Sequence, residues 1–499
     1  MMSSLYIGAT GLKSHGEGMA VITHNLANVN TIAYKQQSMQ YTELASQYLT
    51  ADSNLVTNMS QKGAGAVPGA IRTLFEQGGL ERGSEATDLS VNGIGFFGVS
   101  ANGQIHYTRA GDFRFSSDGR LLDPSGWNVL GRAIKGGVVD AAVSPVILDP
   151  SASILSAKAT GSLSVSSQLG GLASRGDNPA NPFFSMTADW NGTRTPPLNA
   201  GSYSYSDTVS FYDANGELRT GTIYYALAGK DGGNTAVEYL VAYAPDMDAS
   251  SRAETDCAGL LMAGVITFDS AGQMSNLLAF TPPSSGSPAA LNAWVPAPLS
   301  AEGYPMFTAH AAGATAQSIS LNMGLALSGS AGTGLVSAAD AALAPSSVYK
   351  RNSAAKLNPA ASTYYGGTCA NIMTKRDGYA EGLLRGLSVT ADGIVRGSYS
   401  NGETQDLYRI SLYRFASQDG LHNEGGNHFS ATPEAGVIEE GIPGTENFGT
   451  LSQYSLEGSN VDYAREFSLM IVTQRGFQMN SKVVTTSDEM LKKALELKR

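Results

Sequence analysis

The sequence predicts a mainly β, multi-domain protein with α-helical termini. Three observations lead to this fold class: heptad-spaced apolar residues at both ends, short alternating segments between turn residues, and two small-residue segments flanking the middle. We expect the N- and C-terminal helices to pair as a coiled coil, with a discontinuous β-domain nested between them. A further β-domain, with room for a subdomain, is then inserted in the nested one.

An apolar stripe at helical spacing begins the chain. Its residues recur every seven positions, with one more at an interleaved position: Leu5, Leu12, Met19, Leu26 and Ile22. The opposite face is polar, so this segment predicts an amphipathic helix that needs a partner.

The same spacing returns at the other end of the chain. The stripe there consists of Met470, Phe477, Val484 and Leu491, flanked by Phe467, and there is no proline from Val461 to Arg499. Each stripe alone is compatible with an ordinary helix that covers its own domain. Two such helices at opposite ends of a β-rich chain bury little apolar surface by themselves. This favours an assembly in which neighbouring copies of the protein cover the remaining apolar faces.

Between the stripes the chain predicts hairpins. Turn dipeptides separate alternating apolar segments: Asn92-Gly93, Asn102-Gly103, Asp118-Gly119, Asn215-Gly216 and Asn401-Gly402. Composition shifts near residue 150 and over 337–363 mark linkers. We therefore predict a terminal helical polymerisation domain with its linkers (1–80 and 450–499), a β-domain split over 81–150 and 371–449, and an inserted outer β-domain (151–370).

Composition excludes several function classes. The chain has 499 residues, more than the roughly 250–300 at which a single hydrophobic core stops growing, so we expect more than one domain. The formal net charge of -11, with charged residues at only 15%, argues against nucleic acid as a partner. No segment approaches the roughly 18 consecutive apolar residues of a membrane helix, which predicts no membrane insertion. The N-terminus lacks the features of a cleaved signal, which alone predicts a cytoplasmic location.

One glycine pattern resembles a nucleotide-binding loop. Gly93, Gly95 and Gly98 spell G-x-G-x-x-G, but strand-like sequence follows where a dinucleotide site needs a helix. We interpret them as turn glycines and expect no cofactor.

No catalytic or metal site is predicted. His422, Glu424 and His428 are close in sequence, but the two glycines between them prevent a regular helical ligand pair, which favours a solvated loop. Cys257 and Cys369 allow one disulfide at most and carry no catalytic signature. We expect a protein that is not an enzyme.

Two terminal motifs resemble a known family. The segment NLANVNTIAYK (25–35) is similar to the N-terminal signature of the rod and hook axial proteins of the bacterial flagellum, and 457–482 resembles their C-terminal signature. The motif residues are Asn25, Asn28, Thr31, Tyr34, Lys35, Asn460, Val461, Gln474, Arg475 and Asn480. One departure is Ile32-Ala33, where such proteins often carry Thr-Gly or Pro-Gly.

The resemblance implies a self-assembling tube. Rod proteins of the family are typically much shorter, so the large insertion favours a hook subunit that forms a flexible universal joint and transmits torque from rod to filament. It implies a homopolymer, contacts with distal rod, hook cap and hook-filament junction proteins, and type III export without a cleaved signal to the extracellular hook. The alternatives are a distal rod subunit and a secreted glycan-binding β-protein.

Overall fold

The computed structural model describes residues 2–45, 47–49, 60–148, 153–173, 183–327, 337–445 and 447–497. The chain divides into two compact units. Unit 1 combines Met1–Ser153 with Leu384–Arg499, and unit 2 is the intervening Ile154–Leu383. One unit is thus inserted in the other along the chain, as the sequence predicts.

The helices are α1 (Met2–Ala27), α2 (Ser185–Asp189), α3 (Ala338–Leu343), α4 (Pro345–Tyr349) and α5 (Tyr463–Glu496). The strands up to the start of the insertion are β1 (Gln37–Glu43), β2 (Gln47–Leu49), β3 (Ser60–Lys62), β4 (Ala66–Thr73), β5 (Leu80–Arg82), β6 (Leu89–Asn92), β7 (Phe96–Ala101), β8 (Gln104–Thr108), β9 (Arg114–Phe115), β10 (Leu121–Leu122), β11 (Asn128–Lys135) and β12 (Val138–Pro145).

The strands that follow, up to the end of the insertion, are β13 (Ile154–Leu155), β14 (Ser162–Gln168), β15 (Tyr205–Tyr212), β16 (Leu218–Asp231), β17 (Asn234–Tyr243), β18 (Leu260–Phe268), β19 (Met274–Thr281), β20 (Val295–Pro296), β21 (Met306–Ala309), β22 (Gln317–Asn322), β23 (Leu325–Ala326), β24 (Lys356–Leu357) and β25 (Ala370–Arg376). The last strands are β26 (Gly382–Val389), β27 (Ile394–Tyr399), β28 (Thr404–Ile410), β29 (Leu412–Phe415), β30 (Leu421–Gly425), β31 (His428–Ala431), β32 (Ile438–Gly441), β33 (Thr450–Gln453) and β34 (Ser455–Glu457).

The β-domain of unit 1 interleaves strands from both ends of the chain. Its main sheet runs β26-β27-β28-β11-β7-β8-β31-β30, and β6 pairs with β33 while β5 pairs with β34. Its core joins Phe97, Phe113 and Val129 from the first segment to Ile410 and Leu412 from the second. Neither segment has a complete core without the other.

The predicted Asn102-Gly103 turn connects β7 to β8. Both residues have positive φ angles, 51° and 82°, as a tight two-residue hairpin turn requires. Gly98 lies within β7, so the G-x-G-x-x-G motif leads into a strand and has no helix to hold a phosphate.

Unit 2 is built on a six-stranded antiparallel sheet, β15-β16-β17-β18-β19-β20. One apolar cluster joins this sheet to the four-stranded sheet β21-β22-β14-β25, and a second cluster includes residues of α2, α3 and α4. Every residue of β18 is buried, which explains why its sequence is an apolar run interrupted by Thr267 and not an alternation.

The predicted fold class is confirmed: the protein is mainly β, with a split β-domain, an inserted β-domain and terminal helices in contact. The domain limits at 80, 150, 370 and 450 stay predictions. Within the described chain both cysteines are free thiols. The described residues include no helix long and apolar enough to cross a membrane.

Candidate assembly site at the paired chain ends

Helices α1 and α5 pack against each other in antiparallel directions. Near one end of the pair, the Ser4 and Ser487 hydroxyl oxygens are 3.3 Å apart, and near the other, Asn25 donates to the Glu466 carboxylate over 3.3 Å. The start of α1 therefore lies beside the end of α5, and the end of α1 beside the start of α5. The two ends of the chain, separated by more than 400 residues, form one antiparallel helix pair.

Glycines allow the two helix backbones to approach closely. A methyl group added at Gly8 would lie 2.9 Å from a Val484 methyl group, and one at Gly11 would lie 2.7 Å from the Asn480 side-chain oxygen. Both distances are shorter than a van der Waals contact of a carbon atom, so a side chain at either glycine would force the neighbouring atoms to move. At these two positions α1 therefore has to carry a glycine, and where α1 carries His15 the glycine is Gly476 of α5.

The predicted stripe of α1 lies beside this contact surface. The fully buried α1 residues are Gly8, Ser14, Gly18, Val21 and Asn25, whereas all five predicted stripe residues, Leu5, Leu12, Met19, Ile22 and Leu26, are half-buried. The heptad period of the sequence is present, but the closest contact uses small neighbours of the large apolar residues. Part of each large side chain stays accessible.

Helix α5 buries polar side chains and exposes apolar ones. Its fully buried residues are Glu466, Thr473 and Ser487, while the predicted residues Met470, Val484 and Leu491 are half-buried. The predicted Phe467 and Phe477 are 41% and 44% exposed. Further exposed apolar side chains on the helix are Leu469, Ile471, Val472, Met479, Val483, Met490 and Leu495.

These exposed side chains form what we call the α5 apolar surface, defined by Phe467, Leu469, Ile471, Val472, Phe477, Met479, Val483, Met490 and Leu495. Val472 is 66% and Met479 is 71% exposed. Exposed apolar side chains in such density on one helix are typical of surfaces that bind another protein. The part of the chain that the structure describes leaves this surface uncovered.

The motif residue Asn25 connects α1 to the rest of the site. Its side-chain oxygen accepts hydrogen bonds from the Tyr34 hydroxyl and the Gln37 backbone N–H, both at 3.0 Å. Its side-chain nitrogen donates to the Gln37 carbonyl at 2.8 Å and to Glu466. Burial raises the pKa of Tyr34 to about 12, with a further contribution from the Glu466 carboxylate.

The motif residue Lys35 sits in a buried ion cluster. Its ammonium group lies 2.5 Å from one Glu457 carboxylate oxygen, and Arg109 lies 3.4 Å from the other. Lys35 also donates to the Glu76 carbonyl at 2.7 Å, and the backbone N–H of Gly78 donates to Glu457 at 3.0 Å. Burial lowers the pKa of Lys35, although Glu457 opposes the shift.

The motif residue Asn460 closes the network just before α5. Its side-chain oxygen accepts from the Gln36 backbone N–H at 2.6 Å, and its nitrogen donates to the Leu74 carbonyl at 2.8 Å. The Asp462 side chain then caps α5 by accepting from two backbone N–H groups of the first turn. The network thus ties residues 25–37, 74–78 and 457–466 together where both helices meet the β-domain.

The remaining motif residues are less central. Thr31 donates to Asn28 at 3.1 Å within the turn after α1, and Val461 is buried directly before the cap. Gln474 and Arg475 are exposed on α5. Asn480 donates to the Gly476 carbonyl at 2.9 Å on the helix face that contacts α1.

The departure at Ile32-Ala33 has a structural meaning. Ala33 is fully buried with a φ angle of 58°, in the left-handed region where glycine is favoured. Its backbone N–H donates to the Glu457 carbonyl at 2.7 Å. The tight turn is therefore kept with alanine, at the cost of backbone strain.

Sequence reasoning did not identify Gln36, Arg109 or Glu457 as site residues. Gln36 follows Lys35 directly, and Glu457 begins the C-terminal motif segment, where a counter-charge for a buried lysine can be expected. Arg109 carries no such signal, because only the fold brings the residue that follows β8 to the chain ends. His428, considered as a metal ligand, instead contacts the buried Asp123 carboxylate at 2.5 Å, and the described residues include no metal-ligating group of three.

Comparison with known proteins agrees with this architecture. Three family models match successive parts of the chain: the "Flagellar hook protein FlgE/F/G D1 domain" over residues 90–165, the "Flagellar basal body protein FlaE D2 domain" over 177–379, and the "Flagellar basal body rod FlgEFG protein C-terminal" over 452–497.

Curated relatives match over their whole length. The flagellar hook protein FlgE of Borreliella burgdorferi is 27% identical and that of Rhizobium meliloti 28%, each alignment covering 100% of both chains. The Escherichia coli protein of the same name is 25% identical over 98% of both. The chain belongs to the flagellar hook protein family.

Membership of this family makes the protein a structural subunit of the bacterial flagellar hook and not an enzyme. Among solved structures, Helicobacter pylori flagellar hook protein FlgE2 is 14% identical and has a TM-score of 0.44. It aligns over 76% of this chain and 100% of its own.

Proposed function

We propose that copies of this hook protein polymerise into a tube through the apolar residues of α1 and α5. The α5 apolar surface supports this most directly, because the described residues of one chain leave it in contact with water. Burying it between copies removes apolar area from water, which stabilises the assembly by about 25 cal/mol for each Å² buried. Each copy carries the same surface, so one copy can add to another without limit and form a homopolymer.

The paired ends and the β-domain have different roles in this proposal. The heptad residues Leu5, Leu12, Met19, Ile22 and Leu26 of α1 and Phe467, Met470, Phe477, Val484 and Leu491 of α5 make contacts within and between copies. The motif residues hold the helix pair on the β-domain, through Asn25, Lys35 and Asn460 above all. The split β-domain forms the wall, and the insertion faces outward.

The assembled tube is a flexible joint that transmits torque from the rod to the filament. The low content of charged residues, 15% of the chain, suits weak and exchangeable contacts between neighbouring copies. At its ends the tube contacts distal rod, hook cap and hook-filament junction proteins, and the subunit reaches its place through the type III flagellar export apparatus.

Replacement of one exposed apolar residue tests the polymerisation surface. Phe477→Asp places a carboxylate on the α5 apolar surface, so we expect tube formation to be lost in sedimentation and electron microscopy. The melting temperature should change little, because the ring is 44% exposed. Gln478→Asp is the matched control, since it adds the same charge at the next, exposed position.

Two outcomes contradict the proposal. Normal tubes from Phe477→Asp would remove this residue from the contact, and a large loss of stability would place it in the core of a single copy. Deletion of residues 1–30 should likewise leave a β-rich monomer that forms no filaments. Straight, rigid tubes from the unaltered protein would favour a distal rod subunit.

A further inference from the structure

Small and polar residues recur every seven positions along both helices. On α1 they are Ser4, Gly11, Gly18 and Asn25, and on α5 they are Ser487, Asn480, Thr473 and Glu466. Three contacts in the structure match these series in reverse order: Ser4 with Ser487, Gly11 with Asn480, and Asn25 with Glu466. The numbers of each pair add to 491, so all three pairs report a single register.

This pattern makes the register ambiguous for packing alone. A shift of α5 by seven residues would place Gly11 opposite Ser487, so a small residue would still face a small one. Apart from Val483 and Val484, which lie against Gly8, the large apolar residues that usually select one register by shape lie beside the closest contact. Another feature has to distinguish the observed register from its neighbours.

The Asn25 and Glu466 pair provides this distinction. Glu466 is 1% exposed, and its carboxylate accepts from the Asn25 side chain at 3.3 Å and from the Gln36 side chain at 2.5 Å. A seven-residue shift would separate Glu466 from both donors and leave a buried carboxylate with its hydrogen bonds unmade. Losing the partners of a buried charge is among the costliest changes in a protein interior.

We propose that Asn25 and Glu466 determine the register of α1 against α5 as positioning residues for hook assembly. A buried polar pair that selects one register of a helix pair at the cost of some stability is a known device in coiled coils. The proposal rests on the proposed function, because a tube needs every copy to present its α5 apolar surface at the same height. Copies with different registers would present this surface at different heights, and the tube would stop growing.

Disulfide trapping within the full-length chain measures the register directly. Ser4→Cys with Ser487→Cys reports the observed register, since the two hydroxyl oxygens it replaces are 3.3 Å apart. Ser4→Cys with Ala494→Cys reports the register shifted by seven. Each pair is oxidised at low protein concentration, and the linked peptides are identified by mass spectrometry. The two native cysteines are thereby distinguished from the engineered ones.

Glu466→Ala is then added to both reporter pairs. We expect the ratio of observed to shifted disulfide to fall at least about tenfold, which corresponds to about 1.4 kcal/mol. Glu489→Ala, an exposed acidic position on the same helix, is the matched control and should leave the ratio unchanged. Asn25→Ala together with Glu466→Ala should lower the ratio no further than Glu466→Ala alone, because the pair acts as a unit.

An unchanged ratio in Glu466→Ala would overturn the proposal. Loss of both disulfides together with loss of helical circular dichroism would also overturn it, because Glu466 would then only stabilise the helices. Failure of the proposed function looks different: the chain that carries only Ser4→Cys and Ser487→Cys would form its disulfide in the monomer, and yet the unaltered chain would never form tubes.

Discussion

Glu457→Gln tests whether the buried ion cluster holds the chain ends together. The carboxylate is fully buried and lies within 3.4 Å of two cationic groups, those of Lys35 and Arg109. A neutral amide in its place leaves both cations buried without a counter-charge. Breaking a buried ion pair in this way costs about 3–5 kcal/mol, so we expect unit 1 to lose stability by that amount.

The comparison variant is Asp419→Asn. It breaks the ion pair with Arg72, whose atoms are 2.9 Å apart but whose side chains are more than half exposed. Such surface pairs contribute about 0–1 kcal/mol. The contrast separates the effect of burial from the effect of removing a charge, since both variants turn a carboxylate into an amide.

Native-state hydrogen exchange read by mass spectrometry is the appropriate assay, because it reports each unit separately. Amides of β11 and β28 report unit 1, and those of β17 and β18 in unit 2 serve as the internal reference. A loss below about 1 kcal/mol in Glu457→Gln, or one equal to that of Asp419→Asn, would refute the reasoning. Equal loss in both units would show a general effect and not a local one.

Two further predictions concern the turn next to this cluster. Because the folded pKa of Tyr34 is raised to about 12 while the unfolded value is near 10, its contribution to stability is complete below about pH 10. The unaltered protein should therefore lose about 2 kcal/mol relative to Tyr34→Phe as the pH rises from 10 to 12, and parallel urea-unfolding profiles would contradict this. Ala33→Gly should change stability by at most about 1 kcal/mol, whereas Ala33→Val should cost about 2 kcal/mol or more, because a β-branched residue resists a φ of 58°. Thermal unfolding measures this difference, and equal melting temperatures for valine and alanine would rule out strain at the turn.

Local chemistry explains which features could be predicted. The Asn102-Gly103 turn and the helices at both ends depend on residues adjacent in sequence or one helical turn apart, so their patterns are visible without a structure. The large insertion is visible as well, because its boundaries change the composition of the chain. The nested order of the domains follows from these local signals.

The residues that form the contact between α1 and α5 are harder to predict from the sequence. Heptad spacing identifies an amphipathic helix, but it does not say whether the apolar face meets the same chain or another copy. The structure places Gly8 and Gly11 against α5 and leaves Phe477 and Met479 exposed. Small residues carry no strong hydropathy signal, so the pattern of large apolar residues dominated the prediction.

The helical ends, the hairpin-rich body, the insertion and the motifs around Asn25 and Asn460 can all be identified in the amino-acid sequence. That Lys35, Arg109 and Glu457 share one buried cluster, and that Asn25 faces Glu466, is visible only in the folded chain. The physical reason is distance along the chain. Hydropathy and turn signals act over a few residues, whereas these partners are 74 to 441 residues apart and meet only when both chain ends fold onto one β-domain.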